Sequence, residues 1–272
     1  MGSICSSQGV ITLASTSKAR ECMSHKLELG SPIFSEPSDN FYMDYQLHVE
    51  SLDIGVYSEV SLCTKISNKK QRVVKIVSKS CLPVVLIEQK LIHRVVERLK
   101  RMNNYNGIAK YSRAYENKDS FYIVYEYFDE GSLNEWVESV KITEEAVERV
   151  MKQVIDTVMW LEEIGFYQYE LKPENIFISD PKTLTTKVNL FTLRCLLNDK
   201  YWLRSYTQKP IQDIKAELFH LTLSMLPNIS DLSTNSHLSS SFQHFLTLLS
   251  PSTPSSLIDI QQHLSSQLKL QT

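Results

Sequence analysis

The chain has 272 residues, 42% of them apolar and 22% charged, and a formal net charge of −2. That is core enough for one two-lobed domain or two small ones, and no apolar run reaches the roughly 18 to 20 residues that a membrane-crossing helix needs. The five cysteines, Cys5, Cys22, Cys63, Cys81 and Cys195, form no C-x-x-C pair, which argues against a disulfide or zinc framework and fits a reducing cytosol. The near-neutral total conceals one block: residues 60–110 hold 12 Lys plus Arg against two acids, Glu88 and Glu97. Such a block implies an anionic partner surface; no feature points to nucleic acid.

The chain opens MGSICSSQ. With Met1 removed, Gly2 is exposed for acylation, and Ser6 stands at the small-hydroxyl position of the myristoylation pattern M-G-x-x-x-[ST]. Cys5 is close enough to carry a palmitoyl chain. The pair matters because a single myristoyl chain holds a membrane only marginally and reversibly. No basic stretch followed by an apolar core marks a secretory signal, so Asn228-Ile229-Ser230 reads as an ordinary loop. Residues 9 to 40 are Ser-rich and broken by Gly30, Pro32 and Pro37, and read as a flexible tether. The organisation expected is an acylated tether, 1–43, and a domain, 44–270.

From Tyr45 the pattern alternates, over Tyr45–Val49 and again over Val56–Leu62, with a turn at Asn68-Lys69-Lys70 and a further strand at Arg72–Val77. Val84 to Met102 reads as a helix with apolar residues at Val84, Leu91, Ile92, Val95, Val96, Leu99 and Met102. Its other face carries Lys90, Arg94, Arg98 and Arg101, either a solvated stripe or a face for the anionic inner leaflet of a membrane. Phe121–Tyr127 is the next strand. Thr143 caps a helix whose first turn holds Glu144 and Glu145 and whose core stripe is Val147, Val150, Met151, Val154, Ile155, Val158 and Leu161. After it come QYELKPENIFI, from Gln168 to Ile178, and KVNLFTL, from Lys187 to Leu193.

These segments together resemble the eukaryotic protein kinases over about residues 44 to 268. LKPEN matches the second half of the family's catalytic loop, H-R-D-x-K-P-x-N, and EEAVERVMKQVIDTVMWLEEIGF with RVVKIVSKS is similar to the calmodulin-dependent and calcium-dependent branch. No EF-hand loop follows. The fold implied is α+β and bilobal: a small antiparallel-sheet lobe with one long helix (44–127), and a mainly α-helical lobe (128–270). The resemblance assigns Lys75 to the nucleotide phosphates, Gly55 to the phosphate loop, Val60 and Glu126 to the nucleotide pocket, and Tyr125 to its back wall. It makes Glu170 the candidate base, Lys172 its loop partner, and Asn175 a metal or nucleotide contact.

The departures from the pattern lie where the chemistry is. Asp53 and Ser58 replace two of the three loop glycines. Val95 falls where the helix should offer a Glu to Lys75. Leu190 replaces the metal-binding Asp, so the resemblance leaves no metal site, because a leucine offers no oxygen to a hard cation. Val73 and Phe177, both larger than the family's residues, face each other across the adenine slot and fill it, or else ATP still binds weakly, without metal, through Lys75. Only 22 residues separate Leu190 from Asp213, which leaves a shortened activation segment with no A-P-E. Asp213 is read as the family's buried helix-opening Asp, and Thr253 replaces an Arg that pairs with the missing A-P-E Glu. The expected protein is a lipid-anchored pseudokinase needing no cofactor, held at the cytoplasmic face of a membrane by acyl groups and its basic lobe, where it serves a protein partner. A weakly active serine/threonine kinase and a basic lipid-binding module are the alternatives.

Overall fold

The computed structural model describes residues 40–55, 57–84, 87, 91–167, 169–190, 210–226 and 238–270, without the side chains of 91, 94, 95, 98 and 270. Gly2, Cys5, Glu88, Lys90, Gln168 and the stretch expected to hold the shortened activation segment lie outside these residues. The chain divides into two compact units, one comprising residues up to 100 together with 110–127, the other 101–109 and everything from 128 onward.

The smaller unit is a five-stranded antiparallel sheet in the order β1-β2-β3-β5-β4, with β1 Tyr45–Ile54, β2 Ser58–Lys65, β3 Gln71–Ser78, β4 Tyr111–Glu116 and β5 Ser120–Glu126. Strand alternation gives it two different faces. One carries Tyr45, Cys63, Val74, Tyr115, Tyr122 and Val124, with Leu47 and Ile76 packed beside them. A four-residue helix, α1 (Phe41–Asp44), closes this face. Phe41, 1% exposed, stacks on Tyr45 and Tyr122 at 5.4 and 4.9 Å and meets Tyr115 edge-on, the geometries aromatic pairs favour. Asn40 caps the helix by accepting from the Tyr42 N–H, and the Asp44 carboxylate accepts from the Tyr115 hydroxyl (2.6 Å) and Arg113 (3.1 Å). Residues 40–43, expected in the tether, are therefore packed into this unit, because an aromatic side chain had a face to cover.

Helix α2 (Leu91–Met102) buries Ile92, Val96, Leu99 and Met102, the spacing of an amphipathic helix. Val84, expected in the same stripe, is 66% exposed. His93 lies edge-on to Phe121 at 5.6 Å and bonds Glu116, which ties the helix to the sheet face opposite the aromatic core.

The larger unit is built on α4 (Glu144–Glu163), following α3 (Leu133–Ser139). All seven residues of the predicted α4 stripe are fully buried, and Thr143 accepts from the Ala146 N–H as its cap. Gly131, at φ +72°, is required where it stands: a Cβ there would meet the Glu135 carboxylate at 2.4 Å, and that carboxylate closes the capping box of α3 on Ser132. A two-stranded hairpin, β6 (Ile176–Asp180) and β7 (Thr185–Val188), is clamped to α4 by Gln153, whose amide donates to the Leu184 carbonyl and accepts from the Thr186 N–H. Three further helices complete the described part: α5 (Ile211–Ser224), α6 (Ser240–Leu249) and α7 (Leu257–Leu270).

Asp213 does not occupy the buried position expected of it; it is exposed in the first turn of α5. The buried charged residue of that helix is Lys215, 1% exposed, whose ammonium donates to the Thr253 carbonyl and the Ser255 hydroxyl, each at 2.7 Å. Thus the loop at Thr253, where the resemblance implied a lost arginine, receives a cation from α5.

Candidate functional site

The residues singled out in the sequence fall into two groups, one in each unit. In the smaller unit, Lys75 sits in the middle of β3, half-buried, paired with Val60 on β2 and Ile123 on β5. Alternation puts Val60, Val73 and Lys75 on the face opposite the aromatic core. Val73 lies directly across from Tyr125, which is 5% exposed. Directly opposed residues hold their Cβ atoms about 4.5–5.5 Å apart, so a valine and a buried phenol stand side by side next to Lys75. The Glu126 carboxylate accepts from the Lys110 N–H (2.7 Å), while its own N–H donates to the Lys110 carbonyl (3.0 Å).

The β1–β2 turn is short. The Gly55 N–H closes it on the Ser58 carbonyl at 2.8 Å, and a Cβ on Gly55 would find ordinary contact there, so the turn itself does not demand a glycine. Asp53 is exposed and Ser58 is buried. The helix position expected to lack an acid, Val95, has no described side chain, and Glu97 is committed elsewhere, pairing with Lys100 at 2.7 Å.

In the larger unit the loop 169–175 is folded onto itself and onto two helices. Pro173 starts a 3-10 turn over Pro173–Asn175, and the Asn175 amide donates to the Glu170 carbonyl at 3.2 Å. The Glu170 carboxylate, the candidate base, pairs with Lys172 at 2.6 Å. Tyr169 is buried, and its hydroxyl donates to Glu162 on α4 at 2.8 Å; burial first, and that bond second, push its phenol far above the ordinary range. The Leu171 N–H reaches the Glu217 carboxylate on α5 at 3.3 Å. Glu217, one turn beyond Asp213, is therefore the acid that ties α5 to this loop. It was missed because the sequence alone gives no reason to prefer either of two acids four residues apart on one helix.

Past β7, the Asn189 N–H donates to the Asn175 carbonyl at 2.7 Å, and the next residue, Leu190, is 4% exposed. A magnesium ion takes oxygen ligands in near-octahedral geometry; here the place next to Asn189 is filled by a buried hydrocarbon, and among the described residues no group of three His, Cys, Asp or Glu converges. Leu190 itself thus offers a metal–triphosphate no ligand. Phe177, the other large residue of the expected slot, stacks on Phe128 with centroids 5.2 Å apart and planes at 20°. Across the hairpin from it, the Lys187 ammonium lies 5.9 Å from the Phe128 centroid. One flat face of the Phe177 ring is thus already covered by the chain's own aromatic residue. Phe128 was not singled out in the sequence, where its place directly after the strand Phe121–Tyr127 was the available signal.

Comparison with known proteins agrees with this geometry at the level of the domain. Residues 47–207 match the protein kinase domain family. A probable myosin light chain kinase of Dictyostelium discoideum is 29% identical over 168 residues, 61% of this chain and 51% of that protein. Calcium-dependent protein kinase 24 of Arabidopsis thaliana is 30% identical over 152 residues, 55% of this chain and 26% of that protein. The chain thus matches about half the length, or less, of these curated relatives. The crystal structure of Rad53 1–466 in complex with AMP-PNP superposes with a TM-score of 0.65 at 18% identity, covering 82% of this chain and 65% of that one, a likeness of fold. With its antiparallel sheet, its helical larger unit and a match over more than half its length, this chain belongs to the protein kinase domain family.

Proposed function

We propose that this kinase domain is catalytically impaired and acts as a scaffold or allosteric partner, held by lipid at the cytoplasmic face of a membrane. The observation that carries the first part is Leu190, buried where the family presents its metal-binding carboxylate. Phosphoryl transfer depends on positioning and on neutralising charge by the metal, so losing the ligand removes several kcal/mol of transition-state stabilisation at roughly 1.4 kcal/mol per tenfold in rate. The Phe128–Phe177 stack supports the same reading, since the chain's own aromatic residue covers one face of the expected slot. Gly2, Cys5 and the basic block supply the membrane part. Within the family we place the chain in the calcium- and calmodulin-dependent branch, on the likeness of EEAVERVMKQVIDTVMWLEEIGF and RVVKIVSKS to that branch.

The test is a melting-temperature titration with ATP, with and without Mg²⁺, alongside transfer from labelled ATP to a generic acceptor. The expected result is no magnesium-dependent rise and no transfer that Lys75→Met abolishes. A dose-dependent, magnesium-dependent rise together with Lys75-dependent transfer establishes the competing reading, a divergent serine/threonine kinase, for which Lys75, Glu170, Lys172 and Asn175 speak.

A further inference from the structure

The chain outside the described structure enters the smaller unit at Asn40, after 39 residues. That entry point adjoins the tip of the β2–β3 hairpin: the Ile66 N–H donates to the Asp44 carbonyl at 2.8 Å, and Tyr45 pairs with Lys65. Three apolar side chains stand exposed at this corner, Tyr42 at 50%, Met43 at 64% and Ile66 at 44%. Around them are Lys69 and Lys70, both exposed, with Lys65 and Arg72 half-buried. From Val60 to Ser78 the hairpin has no acidic residue, and the one carboxylate of α1, Asp44, is held by Arg113 and Tyr115.

Exposed apolar groups ringed by lysines match the layered chemistry of a lipid surface, anionic outside and apolar a few ångströms in; Arg72 stands directly across from Glu126 on β5, so the lysines carry the free charge of the corner. We infer that this corner, rather than the basic stripe of α2, docks on an anionic phospholipid bilayer. Lys65, Lys69 and Lys70 meet the headgroups, and Met43 and Ile66 enter the boundary. The position suits a chain tethered through residues 1–39, since the anchor and the docking face then approach the bilayer together. The inference rests on the reading of the chain as a peripheral membrane protein.

The test uses the full chain with Gly2→Ala, so that no acyl group contributes, and sedimentation on vesicles of phosphatidylcholine with and without 30% phosphatidylserine. Binding is expected only with phosphatidylserine and should weaken as salt rises. Lys69→Glu with Lys70→Glu should lower it by about 25-fold or more, from roughly fivefold per basic residue near such a surface. Met43→Ser with Ile66→Ser should lower it severalfold. Arg94→Glu with Arg98→Glu on α2 should leave it unchanged. Met43, Ile66, Lys69 and Lys70 lie outside the aromatic core, and a melting curve checks each variant's fold. Loss of binding in the α2 variant with retention in the hairpin variant overturns the inference, as does absence of any binding. Equal binding to polyglutamate, indifferent to Met43→Ser with Ile66→Ser, overturns it in favour of an acidic protein. The anchoring itself is read separately, from the mass of the amino-terminal peptide and from binding of the acylated chain to neutral vesicles, so the two ideas fail independently.

Discussion

Replacing Lys215 by methionine tests how much the buried cation of α5 holds the loop at Thr253 in the larger unit. The substitution keeps the length and apolar stem of the side chain, so the packing at this 1% exposed site changes little. It removes two charge-assisted hydrogen bonds, to the Thr253 carbonyl and the Ser255 hydroxyl. Ser255 keeps its bond to the Leu248 carbonyl, so the principal loss is the donor to Thr253. Leaving one buried acceptor without its donor costs roughly 1–3 kcal/mol, while removing a buried charge returns part of its desolvation penalty. The net expectation is a loss of about 2 kcal/mol, or roughly 4 to 8 °C in Tm for a chain of this size.

A pH series sharpens the test. Burial holds the Lys215 ammonium below its ordinary pKa, with Asp259 opposing part of the shift. Between the folded and unfolded pKa values the unfolded chain therefore binds more protons, and this group's contribution to stability rises with pH until the unfolded lysine also titrates, near about 10.4. Chemical denaturation of both proteins at pH 7 and pH 9.5 should show the gap between wild type and variant widening at the higher pH. A variant as stable as wild type, or a gap that narrows toward alkaline pH, refutes the role given to this lysine.

Other consequences are more direct. Phe41→Ala should destabilise the chain by about 3–5 kcal/mol, the usual loss for truncating a buried phenylalanine, and should open the segment before Tyr45 to limited proteolysis; unchanged protection refutes the packing of α1. The Cys63 thiol is pushed up to about 12 from 9.0, chiefly by burial and against the influence of Arg72, so at pH 8 its thiolate population is about a thousandfold below that of an unperturbed thiol. Iodoacetamide labelling followed by peptide mapping should therefore mark half-buried Cys81 well before Cys63, and unfolding should remove the difference. Phe177→Leu ends the stack on Phe128 and should cost about 1–2 kcal/mol. If that stack is what closes the slot, the variant gains an ATP-dependent rise in melting temperature that the wild type lacks; two identical, flat titrations would show that Phe177 is not the obstruction.

Much of the framework follows from periodicity alone. A 3-4 repeat over Val147–Leu161 can satisfy its apolar side chains only as a helix with one buried face, and that face is the one seen. Thr143 was legible as a cap for a similar reason, since the first turn of any helix leaves N–H groups needing an acceptor nearby. Leu190 was equally plain, because the absence of an oxygen is a property of the residue and needs no fold. What the sequence could not decide were choices among chemically similar groups whose partners lie far along the chain. Asp213, Lys215 and Glu217 share one helix that mixes apolar and polar residues, and which of them finds a partner depends on the carbonyl of Thr253, 38 positions from Lys215, and the N–H of Leu171, 46 positions from Glu217. Phe128 meets Phe177, and Phe41 meets Tyr122, only once strands and loops are in place. Local pattern fixes which groups must be buried; tertiary structure alone chooses their partners, because a partner is a matter of distance in space and periodicity carries no information about it.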